Sequence, residues 1–287
     1  MDINTMRVPP DKPVKLSKYP TLPTNTSLNK LEAQAELAEG IRQLADMQPK
    51  LYAQNIYALL VVLQGMDAAG KDSTIRHVMS GVNPAGCQVR SFKVPSAEEL
   101  DHDYLWRYVR ALPQRGNIGI FNRSHYEEVL VVRVHPELLQ REHIPRGRQE
   151  QFWRTRFEEI NHFETYLERN GIAVLKFFLH ISKEEQKKRF LERLNSPDKN
   201  WKFSEADVRE RAHWDAYQTA YEDMLSHTST TVAPWHVIPA DKKWFARLAV
   251  SRIIVEQLRA LGLDYPKLGE PELAALERAR QYLACEE

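Results

Sequence analysis

The sequence predicts an α/β fold, in which helices flank both faces of a parallel β-sheet and a helical lid rises from its rim. Three observations predict it. Short apolar runs alternate with longer helical patterns, which favours right-handed crossovers between parallel strands. The run Tyr57–Leu63 is continuously apolar, as expected of a strand buried on both faces. Between residues 181 and 231, helical patterns continue without a strand, which is typical of a lid.

The first half of the chain alternates strictly between helix and strand. Helices are recognised by apolar residues three or four positions apart, and strands by short apolar runs. The predicted elements are, in order, a helix over 27–48 with Ser27 as N-cap, a strand over 55–65, a helix over 71–82, a strand over 87–94, a helix over 96–112 capped by Ser96, a strand over 117–122 and a helix from Ser124.

The second half contains the predicted lid. Its elements are a helix over 148–171 ended by Gly171, a strand over 172–181, the lid over about 182–231, a strand over 235–241 and a helix over 243–262. We predict three parts: a Pro-rich arm over 1–27, one domain over 28–265 that includes the lid, and a helical tail over 266–287. The arm holds five prolines, which indicates either a loosely ordered tail or an arm packed across the body or a neighbouring subunit.

Composition places the chain among soluble enzymes. It is 43% hydrophobic and 28% charged, and 40 Lys and Arg balance 39 Asp and Glu. A net charge of +1 argues against general nucleic-acid binding, so anions must bind to local clusters. Two scattered cysteines indicate a reducing compartment, which we take to be the cytoplasm. The longest apolar run is too short to span a membrane, and the N-terminus has no signal-peptide core.

The stretch "GMDAAGKDST" nearly matches the sequence pattern of a phosphate-binding loop (P-loop). Gly65, four further residues, Gly70 and Lys71 lie between a predicted strand and a predicted helix, so loop amides and the lysine point at one anion. The alternative is a glycine turn that merely joins the two elements. With the flanking elements, the pattern predicts a P-loop kinase fold. The predicted phosphate-binding residues are Gly65, Ala68, Ala69, Gly70, Lys71, Asp72, Ser73 and Thr74.

Two carboxylates make this loop unusual. Asp72 stands where the usual pattern has Ser or Thr, and Asp67 lies inside the loop. A carboxylate beside phosphate is repulsive unless a cation lies between them, and Mg²⁺ binds both kinds of oxygen. We predict that Asp67 binds the metal or orients the acceptor oxygen. Asp72 is either a metal neighbour or a helix cap, and Ser73 and Thr74 are candidate hydroxyl ligands.

Polar residues also follow the third predicted strand, in "FNRSHYEE". Asn122 ends the strand, and Arg123 can form paired hydrogen bonds to phosphate oxygens. Glu127 is predicted to supply a metal-binding carboxylate; Glu127 and Glu128 can alternatively stabilise a helix N-terminus. His125 is expected to support the site rather than act as a base, because phosphoryl transfer depends mainly on positioning and charge.

Basic residues concentrate in two stretches. Residues 186–202 contain six basic and two acidic side chains, and residues 141–156 contain five arginines and two glutamates. Solvated surface helices are the alternative explanation. Beside a phosphate loop, we prefer a lid that places arginines over the transferred phosphoryl group. The candidates are Lys188, Arg189 and Arg193 in the lid, with Lys93 and Arg133 elsewhere.

Several spaced motifs together resemble the family-2 polyphosphate kinases: "GMDAAGKDST", "SFKVPS", "FNRSHYEEVLVVRVHP", "KKRFLERL" and "APWHVIPADKKWFAR". The resemblance covers roughly residues 28–263. It implies a P-loop kinase fold with a helical lid, Mg²⁺ or Mn²⁺, and reversible phosphoryl transfer between inorganic polyphosphate and nucleotides (ADP/ATP, AMP, GDP/GTP). It also implies a homo-oligomer, a dimer or tetramer. Many members have Asp in place of Asn122, and "FNRSHYE" resembles the subgroup that phosphorylates both nucleoside mono- and diphosphates.

The hypothesis is therefore direct, in-line transfer of a terminal phosphoryl group from polyphosphate to a nucleotide. Lys71 would hold one phosphate, Arg123, Arg189 and Arg133 would neutralise others, and Asp67 with Glu127 would bind metal. The alternative enzyme is an ATP-dependent nucleoside or small-metabolite kinase. An alternative of another class is a nucleotide-dependent switch or nucleic-acid-binding protein, against which the balanced charge argues.

Overall fold

The strand β1 (Ala58–Gln64) lies at the centre of a five-stranded sheet in the computed structural model. All seven of its residues are buried, because it pairs with β3 (Ile118–Asn122) on one side and β4 (Ile172–His180) on the other. β2 (Cys87–Ser91) pairs with β3, and β5 (Trp235–Pro239) pairs with β4. All pairings are parallel, and the order is β2-β3-β1-β4-β5.

Helices pack on both faces of this sheet. The structure describes residues 1–24, 26–141, 151–198, 200–202 and 205–286. Over these ranges the α-helices are α1 (Lys30–Gln54), α2 (Lys71–Val78), α3 (Ala97–Leu100), α4 (Trp106–Val109), α5 (Val131–Val134), α6 (Phe152–Arg169), α7 (Lys183–Leu194), α8 (Glu205–Glu210), α9 (Trp214–Thr228), α10 (Lys243–Ala260) and α11 (Glu270–Ala284). Helices α1, α2 and α10 pack together in one layer, and α6 packs on β4 and α9 in the other. The predicted α/β fold is confirmed.

The first helix begins later than predicted. Asn29, not Ser27, is the N-cap of α1: its side chain accepts hydrogen bonds from the amides of Leu31 and Glu32. The Glu32 carboxylate accepts the amide hydrogen of Asn29 in return. This reciprocal capping box fixes the helix start two residues after Ser27.

Two predicted helices are interrupted. Ser96 caps α3 as expected, but α3 ends at Leu100, and the side chain of Asp103 accepts a hydrogen bond from the Leu105 amide. This local bond offers the backbone an alternative to the helix and separates α3 from α4. After Ser124 the chain forms a 3₁₀ turn (His125–Val129) before the short α5, instead of one helix.

The N-terminal arm packs across the body. Met6, Val8, Val14 and Leu16 are buried in the main core. The Val8 amide donates a hydrogen bond of 2.8 Å to the carbonyl oxygen of Trp235 on β5. Of the alternatives that the prolines left open, the structure therefore shows an ordered arm against the sheet edge over these residues.

Between β4 and β5 the chain forms the helical segment α7–α9. Trp214, Tyr217 and Tyr221 on α9 are buried, so these aromatic side chains serve packing. The tail helix α11 contains no buried residue. Helices in the described ranges all lack the combination of length and hydropathy needed to cross a bilayer. Parts of the two basic stretches, residues 142–150 and Lys199, lie outside the described residues.

Candidate active site

The phosphate loop lies at the carboxyl end of β1, in the turn that leads to α2. Its neighbours β3 and β4 lie on opposite sides of β1, so the loop sits where the strand order reverses. Ligands of open parallel sheets bind at this position. The local sequence therefore puts the loop at the end of β1. The order of the strands leaves a crevice in front of the loop.

Two glycines allow the loop its shape. A Cβ atom on Gly65 would lie 2.9 Å from the carbonyl oxygen of Leu179, so only glycine fits against β4 there. Gly70 has φ +109° and is the N-cap of α2. Ala68, between them, also has a positive φ of 61°, which costs a non-glycine residue about 1 kcal/mol. Backbone strain of this kind is concentrated at functional sites.

Lys71 points back into the loop. Its Nζ donates a hydrogen bond of 2.5 Å to the carbonyl oxygen of Gly65, and the Met66 carbonyl lies 3.4 Å away. Burial lowers the pKa of Lys71, and repulsion from Arg123 lowers it further. The attraction of a phosphate at the loop would offset both effects and raise the pKa, so the site favours an anion beside this ammonium group.

Arg123 joins the two carboxylates that the sequence singled out. Its guanidinium donates to Asp67 at 2.9 Å and to Glu127 at 3.4 Å. Burial alone would lower the pKa of Arg123, but the attraction of Glu127 and Asp67 outweighs burial and raises it. Arg123 has φ +64°, so its backbone is strained like that of Ala68. The loop and the end of β3 are thus joined by three charged side chains.

The residues around Arg123 fit a divalent cation. Asp67 and Glu127 both approach one cationic group, so their oxygen atoms already share a small region. Carboxylate oxygens are the ligands that Mg²⁺ prefers, together with phosphate oxygens and water. Among the described residues, no three His, Cys, Asp or Glu side chains form a metal cluster. Such an ion would therefore need oxygen atoms from a phosphorylated ligand to complete its coordination.

Asp72 contacts the end of β3 and does not cap the helix. Gly70 is the N-cap of α2, and Asp72 lies in the first turn, where a carboxylate favours the helix dipole. The side-chain amide of Asn122 donates a hydrogen bond of 2.5 Å to Asp72 Oδ1. The sequence explanation of Asp72 as an N-cap is wrong, because Asn122 holds its carboxylate instead.

Ala69, Ser73 and Thr74 complete the loop and the start of α2. Ala69 and Thr74 are buried, and the amide of Thr74 donates to the carbonyl oxygen of Gly70. The hydroxyl of Ser73 accepts a hydrogen bond of 2.7 Å from Arg247 Nη2. Ser73 thus faces α10, whereas the buried Thr74 supports the helix start.

Arg189 contacts backbone carbonyl oxygens at the loop, and its predicted place over the transferred phosphoryl group stays a prediction. Its guanidinium is buried and donates to four carbonyl oxygens, of Ala68 and Ala69 in the loop and of Ala240 and Asp241 after β5. All distances are between 2.7 and 3.1 Å. The side chain therefore joins the loop to the segment that follows β5.

The other basic candidates also have protein partners or face outward. Arg133 pairs with Asp223 on α9, and its role in neutralising phosphate stays a prediction. Arg193 lies 3.5 Å from Asp207 on α8. Lys188 is exposed on the outer side of α7. Sequence spacing could not show the direction of these side chains.

A cavity of about 980 Å³ opens beside Arg123 and Glu127. Phe92 and Tyr108 form part of its wall, with ring centroids 4.5 Å apart, and the exposed Lys93 lies at its edge. The size is in the range of small-molecule sites, which are lined mainly by apolar and aromatic groups. The cavity therefore leads from an aromatic wall to the charged residues at the loop.

A buried polar network lies behind the turn that follows β3. Lys176 donates to Glu164 at 2.5 Å and to the Tyr126 hydroxyl at 2.8 Å, and Tyr126 donates to Glu164 at 2.7 Å. His125 is fully buried against Phe163, and burial lowers its pKa. The sequence interpretation did not include Glu164 or Lys176. The signal was one lysine in the apolar run "IAVLKFFLHI".

Comparisons with known proteins give relatives over nearly the whole chain. The family model described as Polyphosphate kinase 2 matches residues 27–264. An "ADP-polyphosphate phosphotransferase" of Rhodopseudomonas palustris is 50% identical, with 96% of each chain covered. An "AMP/ADP-polyphosphate phosphotransferase" of Meiothermus ruber is 47% identical, covering 94% of this chain and 96% of that protein.

A solved structure extends this likeness to the fold. The crystal structure of polyphosphate kinase 2 from Arthrobacter aurescens TC1 matches with a TM-score of 0.86 and 39% identity. The match covers 96% of this chain and 95% of that one. The family match and the relatives agree with the loop and the sheet order described above. The chain belongs to the polyphosphate kinase 2 family.

Proposed function

We propose that the protein transfers the terminal phosphoryl group of inorganic polyphosphate to nucleoside diphosphates and monophosphates, reversibly. The observation that carries this proposal is the loop with Lys71 and the Asp67–Arg123–Glu127 cluster beside a nucleotide-sized cavity. The names of the relatives support polyphosphate as donor and ADP as acceptor. Acceptance of AMP is supported by the name of the Meiothermus relative. GDP and GMP are proposed as further acceptors.

The phosphate loop is proposed to bind the terminal phosphate of the donor, polyphosphate. Amides of residues 65–70 and Lys71 bind the terminal phosphate, and Arg123 neutralises charge that develops on the transferred group. Asn122 and Asp72 hold the end of β3 against the start of α2, so Arg123 and the loop keep a fixed relative position. Arg189 supports the loop through its carbonyl oxygens.

The acceptor is assigned to the large cavity. The aromatic side chains Phe92 and Tyr108 offer an apolar wall for a nucleotide, and Lys93 is placed to attract its phosphates. The acceptor phosphates would then lie near Arg123 and Glu127, which line the same cavity. A cavity of this volume can hold either a mono- or a diphosphate, which supports the broader substrate range.

Asp67 and Glu127 are proposed to hold Mg²⁺ or Mn²⁺. When bound, the ion supplies positive charge that stabilises the phosphate oxygens of the transition state. The two carboxylates orient this charge between the loop and the acceptor cavity. Their proximity to Arg123 lets them also fix the guanidinium at the reacting group.

The reaction needs no general base on the protein. An acceptor phosphate oxygen forms a bond to the terminal phosphorus of polyphosphate, while the bridging P–O bond breaks and the shortened chain leaves. The attacking oxygen is already ionised near neutral pH, because the second pKa of a phosphate monoester is about 6. Positioning and charge neutralisation therefore carry the catalysis. The complete burial of His125 agrees with a structural role for that residue.

The test is an assay of nucleotide phosphorylation with polyphosphate as the only donor, run in parallel with AMP, ADP, GMP and GDP. We expect ATP from ADP, and ADP followed by ATP from AMP. Lys71→Ala should lower kcat at saturating metal by on the order of a hundredfold or more. The matched control is Lys267→Ala, at an exposed position remote from the loop. Full transfer by Lys71→Ala, or phosphorylation of nucleosides by ATP alone, contradicts the proposal.

Location and assembly are part of the same proposal. Two free cysteines, Cys87 and Cys285, support a reducing compartment such as the cytoplasm. Exposed Leu273, Leu276 and Tyr282 on α11 support a homo-oligomer, dimer or tetramer, that buries them. Light scattering on the purified chain measures its mass, and a monomer at micromolar concentration contradicts the assembly.

A further inference from the structure

A carboxylate from the end of the neighbouring strand holds the start of α7. The amide of Ser182, the N-cap of α7, donates a hydrogen bond of 2.8 Å to Oδ1 of Asp241. Ser182 follows the last residue of β4 by two positions, and Asp241 follows the last residue of β5 by two positions. The bond therefore joins the segments that leave two paired strands. None of the roles proposed above uses the side chain of Asp241.

The backbone around Asp241 is itself fixed. The Asp241 amide donates to the carbonyl oxygen of Thr21 in the N-terminal arm at 3.0 Å, and the Asp241 carbonyl oxygen accepts from Arg189 at 3.1 Å. The preceding residue, the buried Ala240, donates its amide hydrogen to the carbonyl oxygen of His180 at 2.9 Å. The carboxylate is therefore presented to α7 from a backbone that the arm and β4 hold in place.

The first two turns of α7 contact the phosphate loop directly. Gln186 is 1% exposed, and its Nε2 donates to the carbonyl oxygen of Asp67 at 2.9 Å. Arg189 donates to the carbonyl oxygens of Ala68 and Ala69, both at 3.0 Å. Three consecutive carbonyl oxygens of the loop thus accept hydrogen bonds from one helix, so a shift of α7 also shifts the loop.

Helical hydrogen bonds pass the restraint at Ser182 on to these contacts. The Gln186 amide donates to the carbonyl oxygen of Ser182 at 3.0 Å, so the residue that Asp241 holds is bonded to the residue that contacts Asp67. Asp67 is one of the two carboxylates proposed to bind the metal ion. Catalysis by positioning is sensitive to such geometry, because a misplacement of about 1 Å can lower the rate about a hundredfold.

We infer that Asp241 is a positioning residue for phosphoryl transfer: its carboxylate holds the start of α7, and α7 holds the phosphate loop through Gln186 and Arg189. The inference rests on the proposed function for the reaction it serves. The side-chain oxygen of Asp241 is the group that matters, because the Ser182 amide is neutral and needs only an acceptor. An asparagine side chain offers the same oxygen acceptor without the charge.

A role of the charge is the competing explanation. Asp241 lies among basic side chains, since Lys242 and Lys243 line the same surface groove. A carboxylate could balance these cations without holding α7. The two explanations differ for Asp241→Asn, which removes the charge but keeps the acceptor, and they agree for Asp241→Ala, which removes both. The comparison of these two variants therefore identifies the cause.

The kinetic test measures kcat and KM for ADP with polyphosphate as donor. Asp241→Ala should lower kcat about tenfold and leave KM for ADP within a factor of about two, and Asp241→Asn should keep both values close to those of the unaltered protein. The control is Glu168→Ala, which removes an exposed carboxylate just before β4, at the edge of the sheet opposite the loop. Equal losses in Asp241→Ala and Asp241→Asn, or a change confined to KM, would overturn the inference.

A second measurement does not depend on turnover. Hydrogen exchange followed by mass spectrometry, without substrates, reports the protection of the amides of residues 65–74. In Asp241→Ala these amides should exchange at least about threefold faster, because the loop loses part of its support. They should exchange at the ordinary rate in Asp241→Asn and in Glu168→Ala. Unchanged loop exchange in Asp241→Ala would contradict the inference even if kcat fell.

The two measurements separate this inference from the proposed function. If the unaltered protein transfers no phosphoryl group but the loop loosens only in Asp241→Ala, the function fails and the support of the loop by Asp241 stands. If transfer occurs and Asp241→Ala is normal in both measurements, the inference fails and the function stands. Should Asp241→Ala not fold, Asp241→Glu replaces it, since it keeps the charge but displaces the oxygen. The inference then requires Asp241→Asn to be the more active of the two.

Discussion

Two charged clusters include residues of the turn between β3 and α5, and they differ in burial. In the outer cluster, Arg123 contacts Asp67 and Glu127, and the three side chains are 20% to 41% exposed. In the inner cluster, Lys176 and Glu164 are at most 1% exposed and share hydrogen bonds with Tyr126. Residues of one short turn therefore belong both to a partly exposed and to a fully buried set of charges.

The difference in burial assigns the two clusters different tasks. The inner charges are tolerated because each is paired and hydrogen-bonded: Lys176 donates to Glu164, to Tyr126 and to the carbonyl oxygen of Thr228. Water reaches the outer cluster, so its partners can exchange at low cost when a ligand arrives. The inner network fixes the turn through Tyr126, and the outer cluster is left free to bind.

The largest effect is expected from breaking the inner cluster. Lys176→Met leaves the Glu164 carboxylate buried without its cation, so the free energy of unfolding should fall by about 3–5 kcal/mol. Urea unfolding followed by circular dichroism measures the change. The matched double variant Lys176→Met/Glu164→Leu removes both charges and should recover much of the loss. If the double variant is no more stable than the single one, the unpaired charge is not the cause.

A smaller effect, in catalysis, is expected from the outer cluster. Asp67→Asn keeps the shape of the loop but removes one of the two charges that face Arg123. The value of kcat should fall about a hundredfold, equivalent to about 2.7 kcal/mol, whereas KM for ADP stays within a factor of about two. The free energy of unfolding should change by no more than about 0.5 kcal/mol. Glu137→Gln, at an exposed carboxylate, is the control.

These two results would separate function from stability. If Asp67→Asn unfolds easily, the outer cluster serves stability. If Lys176→Met is stable but inactive, the inner cluster serves catalysis. Unchanged turnover in Asp67→Asn would remove Asp67 from the catalytic site. Both single variants keep the hydrophobic core of the sheet, so the comparison concerns the charges alone.

The sheet and the loop could be predicted from the sequence because their signals are local. The apolar run before Gly65 and the glycines of the loop report directly on strand and turn. Breaks within helices were harder to predict. The Leu105 amide donates a hydrogen bond to Asp103, and this bond interrupts a sequence pattern that otherwise indicates one helix. Short polar side chains decide such breaks by contacts that periodicity does not contain.

The direction of long basic side chains could not be predicted. Arg189 has the spacing of a lid residue, but four carbonyl oxygens from two distant segments turn its guanidinium inward. Arg247 lies in a helix whose pattern indicates only packing, yet it donates to Ser73 on the neighbouring helix α2. Both depend on tertiary contacts. Lys176 is the exception, since a lone lysine in a buried strand indicates a buried partner.

A third ion pair, about as exposed as the outer cluster, predicts the smallest effect. His135, at the end of α5, lies 3.1 Å from Glu210 on α8, with side chains 21% and 36% exposed. Burial alone would lower the pKa of His135, but Glu210 and Glu137 outweigh it and raise the pKa. The pair therefore stabilises the fold fully below about pH 6.5, and this contribution is lost as pH rises through the raised pKa. Comparing urea unfolding of the unaltered protein and His135→Gln should show a difference below about 1 kcal/mol at pH 6 that shrinks by pH 8.5. A difference that grows with pH would mean that His135 acts as a neutral packing residue and that its ion pair with Glu210 does not stabilise the fold.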